Sequence, residues 1–197
     1  MRTLMQALLL SCSPRKGGNT ETLLRQVAEG LRETGAESEL IRIGEHDISP
    51  CIACGGCDAT GICVLGDEMT LLYDKIDGAD FLIIGSPIYF YGITAQGKAM
   101  IDRCQAMWSR KYKLGHARKK GIGAGYLVSV AASKGDKIFD GAILTARYGL
   151  DAMNFDYRGE LLVRGVDGKG AIASMNGELK RAREFGRAIG SPPANHT

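Results

Sequence analysis

Apolar and polar positions follow two different periods along this chain, and the changes of period divide it into strands and helices. Short apolar runs predict five strands, at residues 4–11, 38–43, 80–85, 122–131 and 158–164. Apolar stripes at helical spacing predict helices over residues 20–34, 93–109, 136–149 and 174–189. The continuous apolar run at 80–85 is typical of a strand that is covered on both faces.

The alternation of strands and helices predicts a single α/β domain over residues 1–197, with a mostly parallel sheet and helices on both faces. Five strands favour the order 2-1-3-4-5 of flavodoxin-like folds over the six-stranded dinucleotide-binding order. The segment 44–79 is a long insertion after the second strand. Loops of that length in a compact domain are usually functional.

Composition and charge argue against two classes of binding partner, nucleic acids and membranes. The 197 residues carry a net charge of only +3, which is too weak to indicate nucleic acid as a partner. No apolar run approaches the roughly 20 residues of a membrane span. The short apolar stretch near the N-terminus is interrupted by Gln6, which favours a buried strand over an export signal. We therefore expect a cytoplasmic protein with neither nucleic acid nor membrane as a partner.

The segment between the first strand and the first helix reads S-C-S-P-R-K-G-G-N-T, residues 11–20. A helix N-terminus presents N–H groups and partial positive charge, which suit a phosphate group. The side chains of Ser13, Asn19 and Thr20 can add hydrogen bonds, and Arg15 can add charge. The pattern predicts a phosphate site, and the alternative is a plain helix cap by Asn19 or Thr20.

Three consecutive aromatic residues follow the third strand, between Pro87 and Gly92. They cannot all face a core, so the loop predicts stacking against a planar aromatic ligand, with a subunit interface or local packing as alternatives. The adjoining G-x-x-x-x-G-K run at 92–98 lacks the hydroxyl residue of a nucleotide triphosphate loop.

Four of the six cysteines lie close together in the insertion, with the spacing C-x₂-C-x₂-C-x₅-C: Cys51, Cys54, Cys57 and Cys63. Closely spaced thiolates on one looping segment are typical of a [4Fe–4S] cluster, and the glycines at 55, 56 and 61 allow the backbone to wrap. A zinc site and metal-free thiols are the alternatives. Cys12 and Cys104 are predicted to be small buried apolar residues.

Basic residues crowd the segment that follows the predicted helix 93–109: Arg110, Lys111, Lys113, Arg118, Lys119 and Lys120. Such a run is typical of a solvated loop. The alternatives are a docking surface for an acidic redox partner and the surface of a non-enzymatic, zinc-stabilised binding module.

These motifs together resemble a known family, over residues 4 to about 190. S-C-S-P-R-K-G-G-N-T resembles the FMN phosphate loop of the NADPH-dependent FMN reductase branch of flavodoxin-like proteins. G-S-P-I-Y-F-Y-G-I-T-A-Q-G-K-A-M-I-D-R resembles the isoalloxazine loop and the following helix of that branch. The compact cysteine run resembles the iron–sulfur flavoproteins of anaerobic archaea and bacteria.

The resemblance implies a residue set for FMN. It implies phosphate contacts from Ser11, Ser13, Arg15, Asn19 and Thr20, and isoalloxazine contacts from Pro87, Ile88, Tyr89, Phe90 and Gly92, with Ser133 closing the other side. Cys12 stands where the family often has glycine. Gly97 is a poor helix residue, which indicates close packing of the helix after the flavin loop.

The resemblance implies two functions. As an iron–sulfur flavoprotein, the chain would exchange single electrons between a [4Fe–4S] cluster and FMN with a ferredoxin-like donor, and this is the preferred interpretation. As a flavin reductase without a cluster, it would take a hydride from NAD(P)H and reduce a small-molecule acceptor such as a quinone. No side chain is assigned as acid or base, because the flavin carries the redox chemistry. The resemblance also implies a homodimer or tetramer, with Met107 and Trp108 at the interface.

Overall fold

The computed structural model describes residues 4–116, 118 and 120–191. Its five strands form one parallel sheet in the order β2-β1-β3-β4-β5, which confirms the predicted order 2-1-3-4-5. The strands are β1 (Gln6–Ser11), β2 (Glu37–Arg42), β3 (Phe81–Pro87), β4 (Gly123–Ala131) and β5 (Phe155–Arg164).

Six α-helices cover the sheet: α1 (Asn19–Glu33), α2 (Met69–Gly78), α3 (Ala95–Arg103), α4 (Gln105–Tyr112), α5 (Asp140–Ala152) and α6 (Asn176–Gly190). Alternate residues of the strands point to opposite faces, so the sheet has two cores. Helices α1 and α6 pack over one face, where Leu9 and Ile83 are buried. Helices α2 to α5 pack over the other face, where Leu10 and Leu82 are buried.

One predicted helix is two helices in the structure, and one helix was not predicted. The segment 93–109 forms two helices, because α3 ends at Arg103 and α4 begins at Gln105 with Cys104 as the junction. The insertion 44–79 contains the unpredicted helix α2, whose residues Met69, Leu72 and Ile76 lie one helical turn apart and are buried in the core. The insertion therefore consists of a cysteine-bearing loop followed by a helix that covers the sheet.

The basic segment is only in part the predicted solvated loop: Arg110 and Lys111 are half-buried in α4, whereas Lys113 and Lys120 are exposed. Arg118 is buried and donates hydrogen bonds to the backbone carbonyls of Asp77 and Ala79, and Lys119 lies outside the described residues. The other members form ion pairs within the chain: Arg110 with Asp77 at 2.7 Å, Lys111 with Asp151 at 2.8 Å, Lys113 with Asp58 at 2.8 Å and Lys120 with Asp80 at 3.0 Å. These charges stabilise the packing of α4 and its following loop.

Among the described residues, no helix is both long enough and apolar enough to cross a membrane.

Candidate functional site

The predicted phosphate loop and the predicted aromatic loop meet in one cleft at the carboxyl ends of β1, β3 and β4. The cleft has a volume of about 180 Å³. Its lining residues are Ser13, Arg15, Gly18, Asn19, Thr20, Pro87, Ile88, Tyr89, Val130, Ala132, Val166, Asp167 and Lys169. Ligands of open parallel sheets bind at this edge, so the cleft is the position that the fold favours for a cofactor.

The N-terminus of α1 forms one wall of the cleft. The helix begins at Asn19, and no side chain of the described residues caps it. Ser13 and Thr20 are buried beside it, whereas Arg15 is exposed at the rim. Uncapped N–H groups, the helix dipole and a nearby cation all favour an anionic group at this wall.

Asn19 holds two loops together. Its side-chain Nδ2 donates to the carbonyl of Gly168 at 2.8 Å, and its Oδ1 accepts from the N–H of Ile172 at 3.2 Å. The loop after β5 is thereby fixed over the cleft, where it contributes Asp167 and Lys169. Sequence analysis missed this loop, although its position after the carboxyl end of a strand was a usable signal.

Glu21 stabilises the predicted phosphate loop through a hydrogen bond to its backbone. Its carboxylate is buried, accepts from the Gly17 N–H at 2.8 Å and pairs with Arg25 at 2.6 Å. Burial alone would raise the pKa of Glu21, but the hydrogen bonds from Gly17 and Arg25 lower it, so the group is ionised. Sequence analysis missed Glu21, although a glutamate at the third position of a helix is the signature of a capping arrangement.

Several predicted flavin residues lie outside the cleft lining. Ser11 ends β1 as a buried residue whose Oγ has no hydrogen-bond partner within the described part of the chain. Ser133 is exposed, and Phe90 and Gly92 belong to the turn beyond Tyr89. The structure therefore brings together seven of the eleven predicted FMN residues and leaves these four beside or beyond the lining.

The aromatic loop is a two-residue hairpin turn. Tyr89 and Gly92 exchange two backbone hydrogen bonds of 3.0 Å each. Phe90 and Tyr91 between them have φ values of 49° and 64°, a left-handed conformation that bulky side chains rarely adopt. The Phe90 side chain is fully exposed. A strained turn that presents a bare aromatic ring is typical of a ligand contact.

Thr94 joins the aromatic loop to the phosphate loop. Its Oγ1 donates to the Cys12 carbonyl at 2.6 Å and accepts from the Gly97 N–H at 3.2 Å, while its own N–H donates to the Ser86 Oγ at 3.1 Å. Thr94 is completely buried as the N-cap of α3. The two walls of the cleft are therefore held at a fixed separation.

A second, larger cavity of about 450 Å³ lies under the insertion and is lined by all four clustered cysteines. Cys51 and Cys54 are exposed, Cys57 and Cys63 are half-buried, and all four are free thiols. Positive φ values at Ala53, Gly55 and Gly61 wrap the backbone around the cavity. The predicted use of glycine for this wrapping is thus confirmed at two of the three positions.

The four cysteines line one cavity but do not converge on the position of a single metal ion. Among the described residues, no three Cys, His, Asp or Glu side chains converge as one bound ion requires. A [4Fe–4S] cluster attaches each thiolate to a different iron, so its ligands surround a volume. The buried Arg103 also lines this cavity, and its Nε has no hydrogen-bond partner in the described residues. A thiol-lined cavity with a buried cation fits an anionic iron–sulfur cluster.

The comparison with protein families shows which family the chain belongs to. Residues 5–138, more than half of the chain, match the family model described as NADPH-dependent FMN reductase. The chain belongs to the NADPH-dependent FMN reductase family. This confirms the predicted family.

Two relatives carry a second cofactor in their names. An iron–sulfur flavoprotein of Methanocaldococcus jannaschii is 33% identical over 133 residues, which is 68% of this chain and 66% of that protein. An iron–sulfur flavoprotein of Methanosarcina thermophila is 33% identical over 128 residues, which is 65% of each chain. The matched segment thus spans just under two thirds of the length of these relatives.

Solved structures share the fold at low sequence identity. An NAD(P)H:quinone oxidoreductase from Methanothermobacter marburgensis has a TM-score of 0.72 at 17% identity, covering 98% of this chain and 100% of that chain. A flavone reductase has a TM-score of 0.70 at 18% identity, covering 94% of this chain and 62% of that chain. These similarities confirm the flavodoxin-like fold.

Proposed function

We propose that this chain is an iron–sulfur flavoprotein that moves electrons between a [4Fe–4S] cluster and FMN, with a ferredoxin-like protein as electron donor. The observation that carries the proposal is the pair of cavities: one collects seven predicted FMN residues, and the other collects all four clustered cysteines. The two linings share no described residue, so each site can be tested separately.

The cleft would hold FMN by its phosphate end. Ser13, Thr20 and the N–H groups at the start of α1 would bind the phosphate, and Arg15 would add positive charge at the rim. The cleft volume of about 180 Å³ is below the roughly 300 Å³ of a typical small-molecule site. The cleft therefore suits the phosphate and sugar chain, and we assign the ring to the side of Tyr89 and the exposed Phe90. FMN when bound supplies the redox chemistry, and the protein positions it.

The cysteine cavity would hold the cluster through Cys51, Cys54, Cys57 and Cys63. All four cysteines line one cavity on a wrapped loop, and Asp58 and Lys113, which form an ion pair at 2.8 Å, line it as well. The name of the two relatives supports this assignment.

A flavin reductase without a metal cluster is the second candidate function. The lining of the proposed FMN cleft includes no residue of the cysteine cavity, which supports a site able to work alone. In that case NAD(P)H would be the reductant, and a quinone or another small molecule would be the acceptor.

A homodimer or tetramer is part of the proposal. Met107 is buried in the core, so it does not form the interface that sequence analysis predicted. Trp108 lines an open groove between α4 and α5 together with the exposed Leu144 and Tyr148. We assign this groove to the contact between subunits, and the cytoplasmic location stays a prediction.

Two variants test the two sites independently. Cys57→Ala is expected to remove iron while FMN stays bound. Thr20→Val is expected to weaken FMN binding about tenfold or more while iron stays bound, because a hydrogen bond to a charged group contributes roughly 1.5–3 kcal/mol. Thr22→Val, on the same helix turn but outside the cleft lining, is the matched control for FMN.

Cys104→Ala is the matched control for iron, because Cys104 is buried in the core and does not line the cysteine cavity. Iron and acid-labile sulfide are measured after anaerobic reconstitution, and FMN affinity is measured by quenching of flavin fluorescence. Full iron content in Cys57→Ala would contradict the cluster assignment, and unchanged FMN affinity in Thr20→Val would contradict the phosphate assignment.

A further inference from the structure

Arg103 is a buried cation beside the cysteine cavity that the proposed function does not use. It ends α3, and none of its side chain is exposed to solvent. A guanidinium removed from water is strongly destabilising unless its hydrogen bonds are satisfied. Its partners therefore reveal what the chain uses it for.

The Arg103 guanidinium binds both ends of the cysteine loop. Nη1 donates to the Ser49 carbonyl at 2.9 Å, and Nη2 donates to the Leu65 carbonyl at 3.3 Å. Ser49 lies two positions before Cys51, and Leu65 lies two positions after Cys63. One side chain thus closes the loop that carries all four thiols.

Asp67 completes this closure. It accepts from Nη1 and Nη2 of Arg103 at 2.5 Å and 3.0 Å, a bidentate pair. The same carboxylate accepts from the Ser49 N–H at 3.0 Å and from the Met69 N–H at 3.1 Å, at the start of α2. These bonds lower the pKa of Asp67, with the Arg103 bond as the main cause. The pair is therefore ionised and links α2, α3 and the loop.

One N–H of Arg103 is left over. Its Nε is buried and has no hydrogen-bond partner among the residues that the structure describes. Arg103 lines the cavity together with the four cysteines. Burial alone would lower the pKa of Arg103, but the Asp67 carboxylate and the neighbouring Cys63 sulfur raise it. An unpaired buried donor beside a ligand sulfur has a natural partner in a cluster-bound thiolate.

We propose that Arg103 is a positioning residue for the iron–sulfur cluster, which closes the cysteine loop and donates its Nε–H to the sulfur of Cys63. This inference rests on the proposed function. A cluster gains negative charge when it is reduced, so a nearby cation and a hydrogen bond to sulfur stabilise the reduced form. Arg103 therefore raises the reduction potential of the cluster.

Substitutions at Arg103 and Asp67 are expected to shift the reduction potential of the cluster in opposite directions. Mere loosening of the loop would not produce opposite shifts. Arg103→Lys keeps a cation but loses the fork and the Nε–H, so the cluster potential is expected to become more negative. Asp67→Asn removes a negative charge and leaves Arg103 with its two carbonyl partners, so the potential is expected to become more positive. Lys111→Gln is the control, because it removes one charge of an ion pair on α4 outside the cavity lining.

The experiment is a redox titration of the reconstituted protein with iron, sulfide and FMN counted for every variant. Opposite shifts in Arg103→Lys and Asp67→Asn, with Lys111→Gln unchanged, support the proposal. Fully loaded variants with the potential of the parent protein overturn it. If the parent protein itself takes up no iron, the proposed function fails, and this result differs from an unchanged potential.

A second measurement uses the iron-free protein, so it also applies to variants that fail to take up the cluster. Hydrogen exchange of residues 48–69 in the iron-free, FMN-bound protein reports on the loop closure directly. Faster exchange there in Arg103→Lys and Asp67→Asn, with the parent rate in Lys111→Gln, supports the closure. Parent rates in all three variants overturn it.

Discussion

Gly97 leaves no room for a side chain because Cys12 fills the space: a Cβ on residue 97 would lie 2.8 Å from the Cβ and 2.9 Å from the Sγ of Cys12. Cys12 follows β1 in the phosphate loop, and Gly97 lies in the first turn of α3. The contact packs the first turn of α3 against the loop after β1, beside the proposed FMN cleft. It also explains a glycine within a helix, where this residue is otherwise unfavourable.

Gly97→Ala is expected to destabilise the protein by about 1–3 kcal/mol, the usual effect of overpacking a buried contact. Gly177→Ala is the control, because a Cβ at this helical glycine has open space around it, and the substitution is expected to be neutral or stabilising. In a Cys12→Gly background, the effect of Gly97→Ala should be much smaller. Urea unfolding measures the double-mutant cycle, and additive effects would show that the two residues are not in contact.

Glu21→Gln is expected to lower the free energy of unfolding by about 2 kcal/mol at pH 7, since hydrogen bonds to the charged group are lost. The pKa of Glu21 is lowered in the folded protein, so its contribution is complete above the unfolded carboxyl pKa of about 4.3 and is lost as pH falls below it. Urea midpoints of the parent and variant should therefore converge as the pH falls from about 5 to below the lowered pKa of Glu21. A difference that stays constant over this range would exclude ionised Glu21 as its source.

Phe90→Gly is expected to stabilise the fold by up to about 1 kcal/mol, because glycine adopts the left-handed conformation without strain and the exposed ring makes little packing contact. Phe90→Ala removes the same ring but keeps the strain, so no such gain is expected. Both variants should bind FMN more weakly if the ring contacts the flavin. Equal stability of the two variants would show that the turn is not strained.

The order of the sheet was predictable because buried strands carry continuous apolar runs, which can be recognised in the sequence alone. The helix α2 was missed because its buried stripe of Met69, Leu72 and Ile76 is short and adjoins an irregular loop. The two walls of the FMN cleft and the cysteine cavity followed from local motifs. Their assembly into two separate cavities did not.

Single charged residues were the features that sequence could not assign. Arg103 ends the motif at 85–103 and Glu21 stands at a capping position, but only their three-dimensional partners reveal their roles. The basic segment was in part misinterpreted for the same reason, because the acidic partners of Arg110 and Lys111 lie 33 and 40 residues away in the chain. Asp167 and Lys169 were missed because no motif marks their loop, although its position after the carboxyl end of β5 was a signal.

The most direct test of the account is the amount of iron, acid-labile sulfide, zinc and FMN per chain in anaerobically purified protein. An iron–sulfur flavoprotein would contain about four iron, four sulfide and one FMN, with no stoichiometric zinc. One FMN without iron or sulfide, after anaerobic reconstitution as well, would contradict the iron–sulfur flavoprotein and leave the flavin reductase.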